Sequence, residues 1–237
     1  MQHHTIVSRD EWLVARRALL VHEKEATRQR DRVNAERLAL PWVRVEKDYV
    51  FDTPSGKKSL AELFDGRSQL IVYHFMLGPG WKAGCPGCSF LCDHIDGALP
   101  HLNHHDVTWM AVSRAPMAEI AAYKTRMGWK FPWVSSAGGS FNHDFHVSFS
   151  KEELAAGAVD YNFTRTPSDR ANDELPGLST FFRDKNGEIF HTYSSYARGP
   201  EEIIGTLMIL DRAPLGRNED STMNFVRRHD EYDAAAE

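Results

Sequence analysis

The sequence predicts an α/β fold, in which a central mixed sheet is flanked by helices and is preceded by a helical extension. Two apolar segments rich in β-branched and aromatic residues, SQLIVYHFML and DVTWMAVSRA, are typical of strands buried on both faces of a sheet. Each is followed by a segment of helical character, and Asn186-Gly187 lies between two further strand-like segments, as in a β-hairpin. This order predicts helices on the faces of the sheet and a parallel, right-handed first crossover.

Residues 1–42 are predicted to form the helical extension. Ser8 and Glu11 have the spacing of a capping box at its start, and Pro41 marks its end. Apolar residues recur at near-helical spacing, but the middle of the segment is charged. Two interpretations stay open: a solvated helix with one buried stripe, or an arm that lies across the core or against a second copy. If the helix lies against a second copy of the chain, the protein is a homodimer.

Residues 43–215 are predicted to form the main domain, and residues 216–237 a polar tail that folds only partly. Within the domain, VRVEKDYVF is typical of a strand and SLAELFDG of a short capped helix. The segments PMAEIAAYKTRMGW and PEEIIGTLMILDRAP are typical of helices, and STFFRDKNGEIFHTYSSYARG of the hairpin. The histidine-rich segment HLNHH, which follows the cysteine-bearing segment, is predicted to be a solvated loop.

Composition excludes several classes of function. With 42% hydrophobic residues the chain of 237 residues can bury a core, and a net charge of −5 argues against general nucleic-acid binding. No run of 18 apolar residues predicts a membrane span, and the first residues lack the pattern of a signal peptide. We therefore expect a cytoplasmic protein, whose cysteines are kept reduced.

All 3 cysteines of the chain lie in the segment WKAGCPGCSFLCDH. Pro86 suits the first position of a helix, which places Cys85 at a helix amino terminus, where free N–H groups lower the pKa of a thiol. Cys88 follows one helical turn later, at the spacing of a resolving thiol. A C-x-x-C pair directly after a strand is the redox signature of thioredoxin-like proteins. Trp81 and Lys82 lie beside the pair, and Lys82 could help to stabilise a thiolate.

Cys92 leaves a metal site open as an alternative. It follows Cys88 by four residues, so the thiolates of Cys85, Cys88 and Cys92 could bind zinc or copper(I), with a histidine such as His94 as the fourth ligand. There is no second C-x-x-C, however, and Ser89 stands where haem attachment would need histidine. We predict no cofactor, and the alternative is a non-catalytic metal-binding or interaction protein.

A peroxiredoxin motif does not fit the same segment. The pattern P-x-x-x-T-x-x-C would begin at Pro79, but Ala83 occupies the threonine position and Pro86 the cysteine position. The sequence therefore lacks the peroxidase signature.

Several long strings give the chain a family resemblance. SLAELFDGRSQLIVYHFMLGPGWKAGCPGCSF, VSRAP, RMGWKFPWVSS, FNHDF and FHTYSSYARG resemble the family known as domain of unknown function 899, from about the first helix to VRRHDEY. The resemblance implies a thioredoxin-like fold and a dithiol–disulfide oxidoreductase whose pair is Cys85 and Cys88. The substrate would be a disulfide or an oxidised thiol, in a small molecule or a protein.

Laid on the hairpin of thioredoxin, the sequence departs from that protein at one position. Ser179 falls where a cis-proline usually faces the dithiol, and Pro176 comes three residues earlier. Because that proline presents the backbone of a protein substrate, its replacement predicts a different or more restricted substrate.

Overall fold

The computed structural model describes residues 4–170 and 172–232, and it divides into two compact units. The first ends at Pro41 and the second begins at Trp42. Residues 1–3 of the predicted extension and residues 233–237 of the predicted tail lie outside the described residues.

The first unit is a single long helix, α1 (Arg9–Leu38). Ser8 caps it, and the predicted capping box with Glu11 is present. No residue of α1 is buried, and its apolar side chains, among them Trp12 and Leu19, are exposed. No helix of the described chain has both the length and the apolar character needed to cross a membrane.

The second unit combines short helices with two sheets. Its helices are α2 (Leu60–Leu63), α3 (Pro86–Cys92), α4 (Leu99–His104), α5 (Met117–Arg126), α6 (Phe141–Asp144), α7 (Lys151–Ala155) and α8 (Gly205–Leu210). Its strands are β1 (Val43–Arg44), β2 (Val50–Thr53), β3 (Gly56–Ser59), β4 (Gln69–His74), β5 (Val107–Ser113), β6 (Trp133–Ser135), β7 (Ala158–Tyr161), β8 (Thr164–Pro167), β9 (Gly177–Arg183) and β10 (Ile189–Tyr196).

The larger sheet has eight strands in the order β1-β10-β9-β4-β5-β6-β2-β3. Strands β4, β5 and β6 are parallel, and the β9–β10 hairpin lies antiparallel on the other side of β4. The hairpin turns at Asn186-Gly187, as the sequence predicts, because Gly187 adopts a positive φ of 87°. A parallel β4–α3–β5 crossover beside an antiparallel hairpin is the arrangement of a thioredoxin-like fold, which confirms the predicted class.

Strand β4 separates two hydrophobic cores. Tyr73 faces the core that contains α3 and α5, whereas Leu70 and Val72 face the core beneath α2 and α6. Side chains alternate between the two faces of a strand, so a strand buried on both faces must be apolar at nearly every position. The predicted two-sided burial of this segment is confirmed.

The region after α3 differs from the sequence-based expectation. The cysteine-bearing helix ends at Cys92, and a separate helix, α4, begins at Leu99 and includes His101 and His104. The HLNHH segment is therefore mostly helical instead of a loop. Pro100 lies in the first turn of α4, where a missing N–H costs nothing, so it does not terminate the helix.

His74, the last residue of β4, is buried and neutral. Its exposed fraction is 1%, and Nε2 lies 2.9 Å from the hydroxyl of Ser179. Burial, helped by nearby His191, lowers the pKa of His74 to about 3. The unfolded chain therefore binds a proton below about pH 6.5 that the folded chain does not, so folding stability falls as the pH drops from 6.5 towards 3.

We predict that His74→Gln flattens this pH dependence. Between pH 6.5 and 5 the free energy of unfolding of the parent protein should fall by about 2 kcal/mol more than that of the variant. Urea denaturation at the two pH values measures both changes. His101→Gln, a change at an exposed histidine of α4, is the control and should leave the slope unaltered. Equal slopes for the parent and His74→Gln would contradict the assignment.

Candidate active site

The loop after β4 places Cys85 at the start of α3. The amide of Cys85 donates a hydrogen bond to the carbonyl of Met76, at 3.1 Å, which closes the loop between strand and helix. Pro86 is the first residue of α3 and Cys85 is its N-cap, the positions that the sequence predicts. The sulfur of Cys85 therefore lies at the end of α3 where the backbone N–H groups are free.

Position 84 requires glycine because two aromatic rings approach its backbone closely. A Cβ atom at this position would lie 2.4 Å from the ring of Phe75 and 2.8 Å from the ring of Tyr123, so a larger residue would displace the loop. The carbonyl of Gly84 accepts two hydrogen bonds from the guanidinium of Arg228, at 3.0 Å from Nε and 2.6 Å from Nη2. Arg228 therefore lies directly against the residue that precedes Cys85.

The surroundings of Cys85 favour its thiolate. A hydrogen bond from the Cys88 thiol is the largest cause, and the amides of Cys88 and Gly87 and the charge of Arg228 act in the same direction. Burial opposes these effects, but together they lower the pKa of Cys85 to about 6. Cys85 is thus mostly ionised at neutral pH.

Cys88 has the opposite character. It is buried, with an exposed fraction of 1%. Burial first, and then its hydrogen bond to Cys85 and the charge of that residue, raise the pKa of Cys88 well above its usual value. Tyr73 also hydrogen-bonds to Cys88, from the face of β4 beneath α3. The pair therefore consists of an accessible thiolate and a buried thiol that donates to it.

A second set of hydrogen bonds holds the first turn of α3. The hydroxyl of Ser89 donates to the carbonyl of Cys85 at 2.9 Å, and it lies 2.8 Å from the hydroxyl of Tyr123. Tyr123 belongs to α5, so these contacts tie the two helices together at the level of Cys85. The orientation of Cys85 thus depends on α5 as well as on its own helix.

Part of the predicted tail packs beside the dithiol. We call residues 223–231 the carboxy-terminal strap. Val226 is buried in the same core as Cys88, and Met223 and Phe225 pack against that core. Further along, the ring of His229 contacts Asp93 (Nδ1 to Oδ1, 2.6 Å), just after the end of α3. The strap therefore lies along α3 and carries Arg228 to Gly84.

The predicted supporting residues Trp81 and Lys82 lie in different surroundings. Trp81 packs against the core that includes Cys85 and Cys88. Lys82 is exposed, and the cation that lowers the pKa of Cys85 is Arg228 instead. Sequence reasoning missed Arg228 because it follows Gly84 by 144 residues. The only signal for it was that the family resemblance extends to VRRHDEY.

Ser179 is not brought to the cysteines, which corrects its expected place. It lies within β9 opposite Val72, and its hydroxyl contacts His74 and, at 2.8 Å, the hydroxyl of Ser194. Val72 faces the core beneath α2, whereas Cys88 lies in the core on the other side of the sheet. Pro176 is the residue that directly precedes β9.

Cys92, the third cysteine, is the last residue of α3. It is completely buried one turn after Cys88, and burial, followed by the charges of Asp93 and Asp96, raises the pKa of its thiol. Within residues 4–170 and 172–232, no three His, Cys, Asp or Glu side chains are arranged to hold a metal ion. The set Cys85, Cys88 and Cys92 therefore does not form a ligand cluster in this structure.

The family described as "Bacterial protein of unknown function (DUF899)" matches residues 1–232. The chain belongs to this family. No curated protein matches the sequence.

Several solved structures are similar to this chain, but they are distant from it in sequence. Peroxidoxin BcpB from Mycobacterium tuberculosis is 15% identical, with 72% of this chain and 97% of that chain covered and a TM-score of 0.45. A peroxiredoxin Q from Xanthomonas campestris is 13% identical, with 68% and 89% covered and a TM-score of 0.45. A putative protein disulfide isomerase from Bacteroides thetaiotaomicron is 14% identical, with 76% and 94% covered and a TM-score of 0.39. Nothing about activity follows from similarities of this size.

We predict that Arg228→Gln raises the pKa of Cys85 by about one unit, because it removes a nearby positive charge. The absorbance of the thiolate, or the rate of alkylation by iodoacetamide, measures this pKa across pH 4 to 9 in a variant that also carries Cys88→Ser and Cys92→Ala. The pKa of Cys85 is compared between two proteins that both carry Cys88→Ser and Cys92→Ala, one with Arg228 and one with Arg228→Gln. The loss of the Cys88 donor then affects both proteins equally.

Arg227→Gln is the matched control. Among the described residues, the guanidinium of Arg227 donates to carbonyls of its own segment, those of Asn224 and Val226, so its replacement should leave the pKa of Cys85 unaltered. Equal shifts in the two variants would show that a general change in charge, and not the contact of Arg228 with Gly84, is responsible.

Proposed function

We propose that this protein is a dithiol–disulfide oxidoreductase, with Cys85 as the nucleophile and Cys88 as the resolving thiol. The observation that carries the proposal is the position of Cys85 as the N-cap of α3, with Cys88 buried in the first turn of the same helix. A hydrogen bond from the Cys88 thiol to Cys85 favours the thiolate of Cys85 and the protonated form of Cys88. Only the thiolate attacks a disulfide, so the two cysteines have different roles before any substrate arrives.

The reaction proceeds in two exchanges. The thiolate of Cys85 attacks one sulfur of a substrate disulfide, a mixed disulfide forms, and the other half of the substrate leaves as a thiolate. Formation of the mixed disulfide removes the negative charge of Cys85, which is one of the causes that hold the proton on Cys88. The departing thiolate takes up the proton that Cys88 releases.

In the second exchange the Cys88 thiolate attacks the sulfur of Cys85. A Cys85–Cys88 disulfide forms and the remaining half of the substrate leaves as a thiolate, so the substrate gains two electrons and the protein loses two. The reverse sequence oxidises a dithiol. The proposed substrate is a disulfide or an oxidised thiol, either in a small molecule or in a protein.

The surroundings of the pair favour reaction with a limited range of substrates. Cys85 is only partly exposed, and Trp81 and the strap residue Met223 pack against the same core. A substrate must bring its sulfur in line with a partly buried Cys85, and Met223 lies beside Gly87 of the first turn of α3. This arrangement supports the disulfide of a small thiol compound as the substrate more than a disulfide within a folded protein.

We predict that Cys88→Ser traps a mixed disulfide at Cys85. Incubation with oxidised glutathione followed by intact mass analysis should show one glutathione adduct, located at Cys85 by peptide mapping, whereas the parent protein should convert to the internal disulfide. In a redox buffer the parent pair should titrate between about −270 and −120 mV, the range of known oxidoreductases.

Cys92→Ala is the matched control, since it removes the third thiol of the same helix, which is buried like Cys88. It should still form the Cys85–Cys88 disulfide with the same potential. A Cys88→Ser protein that stays unmodified at Cys85, or an internal disulfide that includes Cys92, would overturn the proposed roles.

A further inference from the structure

A cavity of about 330 Å³ lies at the end of β5 remote from the dithiol. Thr108 and Met110, near the start of β5, line it, whereas the loop that carries Cys85 pairs with the other end of that strand through Phe75 and Val112. One side is formed by the β2–β3 hairpin and α2, and the other by α5. Ligand cavities in proteins begin at about 300 Å³, so the volume is sufficient for a small organic molecule.

The wall of the cavity is mainly apolar. Its side chains come from every surrounding element: Leu63 of α2, Met110 of β5, Met117 and Ala121 of α5, and Trp133 and Val134 of β6. Met117, Ala121 and Lys124 are spaced by four and three residues, which puts them on one face of α5. A continuous apolar wall of this kind suits the hydrocarbon part of a ligand.

Charged side chains complete the lining, and they are not equivalent. The carboxylate of Glu62 already accepts hydrogen bonds from the amide and hydroxyl of Ser59, and that of Asp65 is paired with Arg67 at 3.0 Å. Lys58 and Lys124 line the same cavity. The negative charges are thus engaged within the protein.

The two lysines lack such partners. In the described part of the chain neither forms an ion pair, and the ammonium group of Lys124 only approaches the carbonyl of Lys130, at 3.4 Å. Both side chains are partly buried, and burial lowers the pKa of Lys124. Asp96 acts on Lys124 and Glu62 on Lys58 only through longer-range charge interactions. An anion in direct contact with both ammonium groups would therefore add stabilisation that these carboxylates do not supply.

We propose that this cavity binds an amphipathic carboxylate, with its apolar body against Met110, Met117 and Trp133 and its carboxylate between Lys58 and Lys124. A cavity of 150 Å³ holds a benzene molecule, so about 330 Å³ accommodates a body of about ten carbon atoms. None of the three cysteines lines this cavity, and the proposal does not depend on their proposed redox role.

Isothermal titration calorimetry with decanoate, below its micelle-forming concentration, tests the proposal on the full-length protein. The expected result is saturable binding of one decanoate with a dissociation constant below about 1 mM. Lys58→Met combined with Lys124→Met should weaken binding about tenfold or more, because hydrogen bonds to charged groups are lost. Lys130→Met, at an exposed lysine that does not line the cavity, should have no effect.

Two neighbouring alanines of α5 provide a matched pair for the apolar wall. Ala121 lines the cavity and Ala122 does not, and both are exposed, so neither change should prevent folding. Ala121→Phe should fill the cavity and abolish binding, whereas Ala122→Phe should bind decanoate as the parent does. Equal binding by the two variants would overturn the proposed location.

Nuclear magnetic resonance of protein with methyl-labelled methionine locates the bound decanoate independently. Decanoate should shift the methyl signals of Met110 and Met117 but not that of Met223, which lies beside Gly87 at the dithiol. Absence of saturable binding, equally tight binding of decyltrimethylammonium, or shifts at Met223 alone would each overturn the proposal.

Discussion

The burial of β4 on both faces is the constraint on which the rest of the structure depends. One face supports the core beneath α2 and α6, and the other supports the core that holds α3. Because β4 lies between β5 and β9 and pairs with both, its carboxyl end fixes the loop that leads to Cys85. Ligand and catalytic sites of open α/β sheets lie at this end of the parallel strands. Cys85 therefore occupies a position that the sheet determines.

A single negative charge at Cys85 is stabilised from three directions. The backbone of α3 supplies N–H donors, Cys88 supplies a thiol donor, and the strap supplies the guanidinium of Arg228. Burial of the sulfur works against ionisation, so these donors decide the outcome. Burial of its own sulfur raises the pKa of Cys88 and keeps that thiol protonated. Two chemically identical side chains thus differ in charge because Cys85 lies at the amino end of α3, whereas Cys88 is buried within it.

The two ends of β5 differ in their chemistry. The end beside the cysteines is closed by packed aromatic rings, with Phe75 4.4 Å from Trp133 between ring centroids, and by the strap. The other end is open, since β6 pairs with β2 only at Ser135 and leaves an apolar cavity beside the edge strand. Trp133 packs against Phe75 and also lines this cavity, so the two regions of the sheet share a side chain.

Local patterns in the sequence determined much of this protein: the parallel core strands, the Asn186-Gly187 turn, the capped first helix and the place of Cys85 before Pro86. Each depends on residues within a few positions of one another, such as alternation along a strand or a cap at a helix end. Only the tertiary structure decided that Arg228, not Lys82, faces Cys85, that Ser179 lies on the opposite face of the sheet, and that two lysines share a cavity. The charge on a thiol depends on distances through space, and a contact across 144 residues leaves no trace in the local sequence pattern.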